Sequence, residues 1–217
     1  MIKLIVLDFD GVLVESVHVK TSAFEQLFYE YPDAIPEIIA YHENNGGISR
    51  FEKIYHIYRE ILNQDLSPLM HESLCQKFSE LVLQGVISSP SVRGAEMFLH
   101  FCQQRIPLMI VSGTPEDELK DIITARKWEK FFEGVYGSPT TKGEHLTMIC
   151  RKQEIQPQEL LYVGDSRTDY EAACAVGSKF IGRINPDVPE QFSVFNEQMI
   201  LISDLCDLMH NVEEMIS

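Results

Sequence analysis

Positive charge is scarce in this chain of 217 residues: 18 lysines and arginines stand against 33 acidic residues, a formal net charge of −15. That deficit argues against nucleic-acid binding, which draws its affinity from neutralised phosphates, and against a polybasic grip on an anionic membrane. It is no bar to a small anionic substrate, because distant charges are screened over about 8 Å at physiological salt and a few local cations govern a pocket. Long apolar runs are absent as well. Nothing approaches the ~18 apolar residues of a membrane span, and Leu4-Ile5-Val6-Leu7 is shorter than the ~7 residues of a signal-peptide core. The five cysteines are scattered and form no CxxC, as expected of reduced thiols in a cytoplasmic protein. The seven histidines show neither HxH nor HExxH spacing, so zinc is not expected.

What is present is ordinary globular material, 45% hydrophobic and 24% charged, and long enough for a sizeable core. Lys3 to Leu7, Pro107 to Val111, Glu159 to Val163 and Lys179 to Gly182 read as buried strands, separated by amphipathic stretches such as Gly94 to Gln104 and Asp117 to Lys127. This alternation predicts an α/β fold with a doubly wound parallel sheet. Residues 16–88 read differently. Helical periodicity runs through His18–Tyr31, Ala34–Glu43, Phe51–Leu62 and Pro68–Val86, punctuated by Pro32, Pro36 and Gly46-Gly47, with no buried strand. The expected organisation is a core of residues 1–15 and 89–217, interrupted by an all-helical domain of residues 16–88 that hangs over the end of the first strand.

Four short motifs fall at predicted strand ends: Asp8-Phe9-Asp10-Gly11-Val12, Val111-Ser112-Gly113-Thr114, Lys142 within Thr140-Thr141-Lys142-Gly143-Glu144, and Gly164-Asp165-Ser166-Arg167-Thr168-Asp169. Carboxyl ends of strands are where open α/β sheets bind ligands. Alternation puts Asp8 and Asp10 on one side of the backbone, an expensive arrangement without a cation or a shared proton. Each motif also has a plainer reading. Thr114 with Pro115 and Asp117 fits a helix N-cap, and Thr141/Glu144 and Ser166/Asp169 fit capping boxes. Lys142 at a helix start goes against the helix dipole, which points to an anionic partner.

Together the motifs fit phosphoryl transfer, which needs an in-line nucleophile, cations for the equatorial oxygens and a group to handle the proton. Asp8 can be the nucleophile. Asp8, the backbone carbonyl of Asp10, and Asp165 offer the hard oxygens that magnesium favours. Lys142 can neutralise Asp8 and the transferring group, and Ser112 with the Gly113 amide can bind phosphate at the start of the helix that follows. Asp10 can protonate the leaving oxygen and then activate water.

In order, placement and spacing the four motifs resemble those of the haloacid dehalogenase superfamily, across the whole chain at the level of architecture. The resemblance implies a Rossmann-like core with an inserted helical cap, and similarity to phosphoglycolate phosphatase and β-phosphoglucomutase-like members. It makes Asp8 the nucleophile and Asp10 the acid/base, gives magnesium to the site of Asp8, Asp10, Asp165 and Asp169, and lets Asp169 support the metal or Lys142. The second aspartate favours phosphate esters over halides, because a halide leaves without a proton. No cap lysine stands out for the Schiff base of related phosphonate hydrolases, where Lys20 or Lys53 would have to serve.

Gly47-Ile48-Ser49-Arg50 is similar to a cap segment of β-phosphoglucomutase-like members, although Gly46 replaces a lysine common there. The resemblance implies that Arg50 grips the distal anion of the substrate, while Ser49 also fits an N-cap over Glu52. His42, flanking the segment, is a candidate for sugar hydroxyls, and Gly47 and Ser49 join the expected substrate site. The expectation is a cytoplasmic magnesium-dependent phosphatase, a monomer or weak homodimer, acting on a sugar phosphate or phosphoglycolate through phospho-Asp8. A sugar phosphomutase and a degenerate binding module are the alternatives.

Overall fold

The computed structural model describes residues 1–185, 192 and 199–216. At its centre is a fully parallel sheet of six strands in the order β3-β2-β1-β4-β5-β6, comprising β1 Leu4–Leu7, β2 Leu108–Pro115, β3 Gly134–Ser138, β4 Leu160–Gly164, β5 Lys179–Arg183 and β6 Ile200–Ile202. Each residue of β1 and β4 is buried. Strands so placed are covered on both faces, which is why they read as unbroken apolar runs. One face packs Leu4, Val6, Met109 and Tyr162 on α7 (Lys142–Lys152). The other face carries Ile5, Leu7 and Ile110 into a larger core that continues into the helical segment through Phe24, Phe28 and Phe78.

Between β1 and β2 come α1 (Val17–Leu27), α2 (Ile35–Asn44), α3 (Arg50–His56), a π-helical turn at Ile57–Ile61, α4 (Pro68–Ser88) and α5 (Ala95–Cys102). Periodicity had predicted one helix over Phe51–Leu62; the chain instead widens to a π turn after His56. The two strands of chain that join the helical segment to the sheet pair with each other: Val14 bridges Ser91, and the Glu15 amide donates to the Pro90 carbonyl at 3.0 Å. After β2 come α6 (Glu116–Ala125), α8 (Arg167–Val176) behind β4, and α9 (Leu205–Ile216). No helix among the described residues is long and apolar enough to cross a membrane.

Two strands were not foreseen. The edge strand β3 carries two glycines in Gly134-Val135-Tyr136-Gly137-Ser138 and is only half-buried over its first three residues. β6 has three residues, two of them exposed, at the other edge. A second departure concerns Thr114. β2 continues through Pro115 with a register shift after Val111, and α6 begins at Glu116. Thr114 is therefore not an N-cap, and Ser112 and Gly113 lie in an irregular strand end rather than at a helix N-terminus. The first turn of α6 holds Glu116, Asp117 and Glu118, which would repel an anion there.

Candidate active site

β1 delivers Asp8 and Asp10 side by side but to different partners. Lys142, the first residue of α7, donates to Asp8 Oδ2 at 2.8 Å and to Asp169 Oδ1 at 2.6 Å. The predicted capping boxes at Thr141/Glu144 and Ser166/Asp169 both form, and these caps fix the helix starts that aim Lys142 and Asp169 inward. Asp169 also accepts from the Tyr162 hydroxyl and, on its other oxygen, from the Ser166 amide and hydroxyl. Both of its oxygens are thus engaged. Asp10 turns toward the helical segment, accepting from Ser16 at 2.6 Å, from Lys20 on α1, and from Thr114 at 3.1 Å.

One oxygen each of Asp8, Asp165 and Asp169 lies within 4.8 Å of the others, all three residues being buried. The only ammonium bonded to this trio among the described residues is Lys142. Burial pushes the Asp8 carboxyl up to about 7 even with Lys142 opposing. Burial, with Asp8 and Asp169 close by, holds Asp165 well above the carboxylate range. Three buried carboxylates against one ammonium make a site short of positive charge, and an all-oxygen donor set suits magnesium. Asp10 goes the other way. Burial raises it, but Lys20, Ser16 and Thr114 outweigh that and hold it below the ordinary carboxylate value.

Gly11 stands between the two aspartates and Asp165, at φ +75°, where an added Cβ would lie 1.8 Å from Asp165 Oδ2. Asn185 donates to the same oxygen at 3.2 Å. Glu15 forms a two-pronged ion pair with Arg183 at 2.6 and 2.9 Å.

A cavity opens at this cluster, lined by Asp8, Ser112 and Gly113 below and by His42, Gly47, Arg50 and Lys53 from the helical segment. The loop at Gly46-Gly47 reaches the core directly: the Thr168 hydroxyl donates to the Gly46 carbonyl at 2.7 Å. Gly47, at φ +78°, leaves no room for a Cβ, which would lie 2.2 Å from Thr168 Oγ1 and 2.9 Å from Lys142 Nζ. Ser49 caps α3, accepting from the Glu52 amide.

Arg50 is where the structure corrects the sequence reading. Its guanidinium faces Glu118 on α6, donating to both carboxylate oxygens at 2.6 and 2.8 Å and to Ser79 at 2.5 Å. Arg50 lines the cavity, but its buried guanidinium is already matched by a carboxylate instead of standing free for an anion as the resemblance implied. Sequence reading named Lys20 only as a Schiff-base candidate and missed its tie to Asp10, and it missed Glu118, Tyr162 and Asn185 altogether. Tyr162 hid inside an apolar strand run, and the others carry no local signal.

Comparison with known proteins bears on the family and the fold. A family model described as haloacid dehalogenase-like hydrolase matches residues 5–183. A phosphoglycolate phosphatase of Pseudomonas putida is 24% identical over 190 residues, covering 83% of this chain and 68% of that protein. A crystal structure described as a predicted phosphoglycolate phosphatase from Haemophilus somnus superposes with a TM-score of 0.75 at 18% identity, covering 97% of this chain and 98% of that one. The β-phosphoglucomutase of Clostridium difficile gives a TM-score of 0.77 at 15% identity, covering 100% and 97%. At these identities the solved structures establish the fold.

Proposed function

This chain belongs to the haloacid dehalogenase-like hydrolases, and within that family we propose that it is a magnesium-dependent phosphatase releasing inorganic phosphate from a small phosphorylated metabolite through a phospho-Asp8 intermediate. The observation that carries the reading is Lys142 held between Asp8 and Asp169. A carboxylate at a strand end, pinned by an ammonium beside a cluster of further carboxylates, is equipped to attack phosphorus and to bear the charge that follows. The phosphoglycolate phosphatases among the relatives support the same direction.

Asp8 and Asp165, with the Asp10 carbonyl, would hold the magnesium, which when bound neutralises phosphoryl charge. The fit rests on the donor set and on the shortage of positive charge described above. Asp169, with both oxygens engaged, positions Lys142. In the first half-reaction an Asp8 oxygen bonds to phosphorus as the ester oxygen leaves, and Asp10 gives that oxygen its proton. In the second, water attacks phosphorus, Asp10 takes the water proton, and the bond from Asp8 to phosphorus breaks to release phosphate. Ser112 and the Gly113 amide hold the phosphoryl oxygens. Asp10 enters the first step protonated only if its tie to Lys20 loosens, so substrate binding must rearrange that contact. The helical segment of residues 16–88 acts as a cap that excludes water, with the paired connections at Val14–Ser91 as its hinge.

The test is a phosphate-release screen over small phosphorylated metabolites and p-nitrophenyl phosphate, with and without added magnesium. Magnesium-stimulated release supports the proposal. Isomerised sugar phosphate without free phosphate would make it a mutase, and no turnover of any ester would leave a binding module.

A further inference from the structure

Lys53 lies on α3, 3% exposed, and lines the same cavity as Asp8. Its ammonium donates to His42 Nδ1 at 2.9 Å and to the His42 carbonyl at 3.0 Å. The other cations around the site are matched: Lys20 by Asp10, Arg50 by Glu118, Lys142 by Asp8 and Asp169. Lys53 has no carboxylate within ion-pairing distance among the described residues. Burial, and behind it the neighbouring ammonium groups of Lys20 and Lys142, push it down to about 7. His42 is kept neutral by burial and by Lys53, pushed down to about 2, so it orients the ammonium without balancing it. Glu43 also lines the cavity, but it is exposed to solvent, where screening weakens its hold.

A buried ammonium without an anion is unfavourable, and a chain keeps such a group where something else supplies the counter-charge. We propose that Lys53, oriented by His42, is the specificity-determining residue of this site: it receives an oxyanion at the end of the substrate remote from the reacting phosphate. The substrate class is then a phosphomonoester with a second acidic group, either a carboxylate or a second phosphoryl group. The inference rests on the phosphatase reading and takes over the role that Arg50, spent on Glu118, cannot fill.

The experiment compares kcat/KM within two pairs of esters, phosphoglycolate against glycerol 3-phosphate for the carboxylate and fructose 1,6-bisphosphate against fructose 6-phosphate for the phosphoryl group. The wild-type protein is expected to prefer the acidic member of at least one pair by about tenfold or more, and the preferred pair tells the two sources apart. Lys53→Met is expected to lower that ratio about tenfold, chiefly through KM, and Lys53→Arg to restore part of it. A wild-type preference for the neutral member in both pairs overturns the inference, whatever the variants do. So does a folded Lys53→Met protein whose ratio stays within about twofold of wild type. Release from p-nitrophenyl phosphate without an acidic preference removes this inference alone, whereas no release from any ester removes the phosphatase reading beneath it.

Discussion

Arg50 on α3 and Glu118 on α6 meet as a two-pronged ion pair, their side chains 3% and 9% exposed. The pair joins the helical segment to the sheet layer, and the Arg50 guanidinium also lies 4.7 Å over the Phe78 ring. Taking away one partner of a buried pair strands the other charge, at about 3–5 kcal/mol. Glu118→Gln and Arg50→Ala are each expected to lower unfolding free energy in urea by that order, while the double variant Arg50→Met/Glu118→Leu recovers much of it. Single variants within about 1 kcal/mol of wild type that lose only substrate affinity would return Arg50 to the role the sequence implied.

Gly47→Ala forces a side chain into a positive-φ position and against Lys142 and Thr168. The loop must back away from the site, and kcat/KM for p-nitrophenyl phosphate is expected to fall at least about tenfold, since small displacements of positioning elements are costly to catalysis. Gly143→Ala, where an added Cβ meets nothing within 4 Å, is the control and should stay within about twofold.

Magnesium should stabilise the folded chain, because it supplies the charge that Asp8 and Asp165 lack. The sign with pH follows from burial. Asp8 titrates near 7 when folded, above its ordinary value of 3.8, so protons occupy the site in acid and compete with the metal. The rise in Tm on adding magnesium is therefore expected to be larger at pH 8 than at pH 5. Equal shifts at both would contradict the assignment of these carboxylates.

Lys53 gives a second pH signature. Its folded value of about 7 lies below its ordinary 10.5, so the unfolded chain holds more protons across that interval and stability gains from Lys53 as pH rises through it. Lys53→Met removes the penalty of the buried charge. The variant should melt above wild type at pH 7, with the advantage shrinking toward pH 10. A variant that melts below wild type at pH 7 would contradict an unpaired Lys53.

The placement of the motifs was legible because each is a local pattern: an apolar strand ending in acids, or a capping box opening a helix. Asp8, Lys142 and the capping boxes fall where their own neighbours in sequence place them. What escaped depends on pairing between distant parts of the chain. Arg50 and Glu118 are 68 residues apart, Thr114 and Asp10 are 104 apart, and no periodicity links either pair. Thr114-Pro115 carries a proper capping signal that the pairing of β2 with β3 overrides. The edge strand β3 was hidden by its two glycines and half-exposed side chains, which weaken the apolar alternation that marks a strand.

If Asp8 is the nucleophile, rapid acid quench after mixing with a ³²P-labelled ester traps the phosphorylated protein. The wild-type protein should retain label on the peptide containing Asp8, in a linkage cleaved by hydroxylamine, and Asp8→Asn should neither label nor release phosphate. Phosphate release that survives Asp8→Asn, or label that maps to another residue, would exclude Asp8 as the nucleophile.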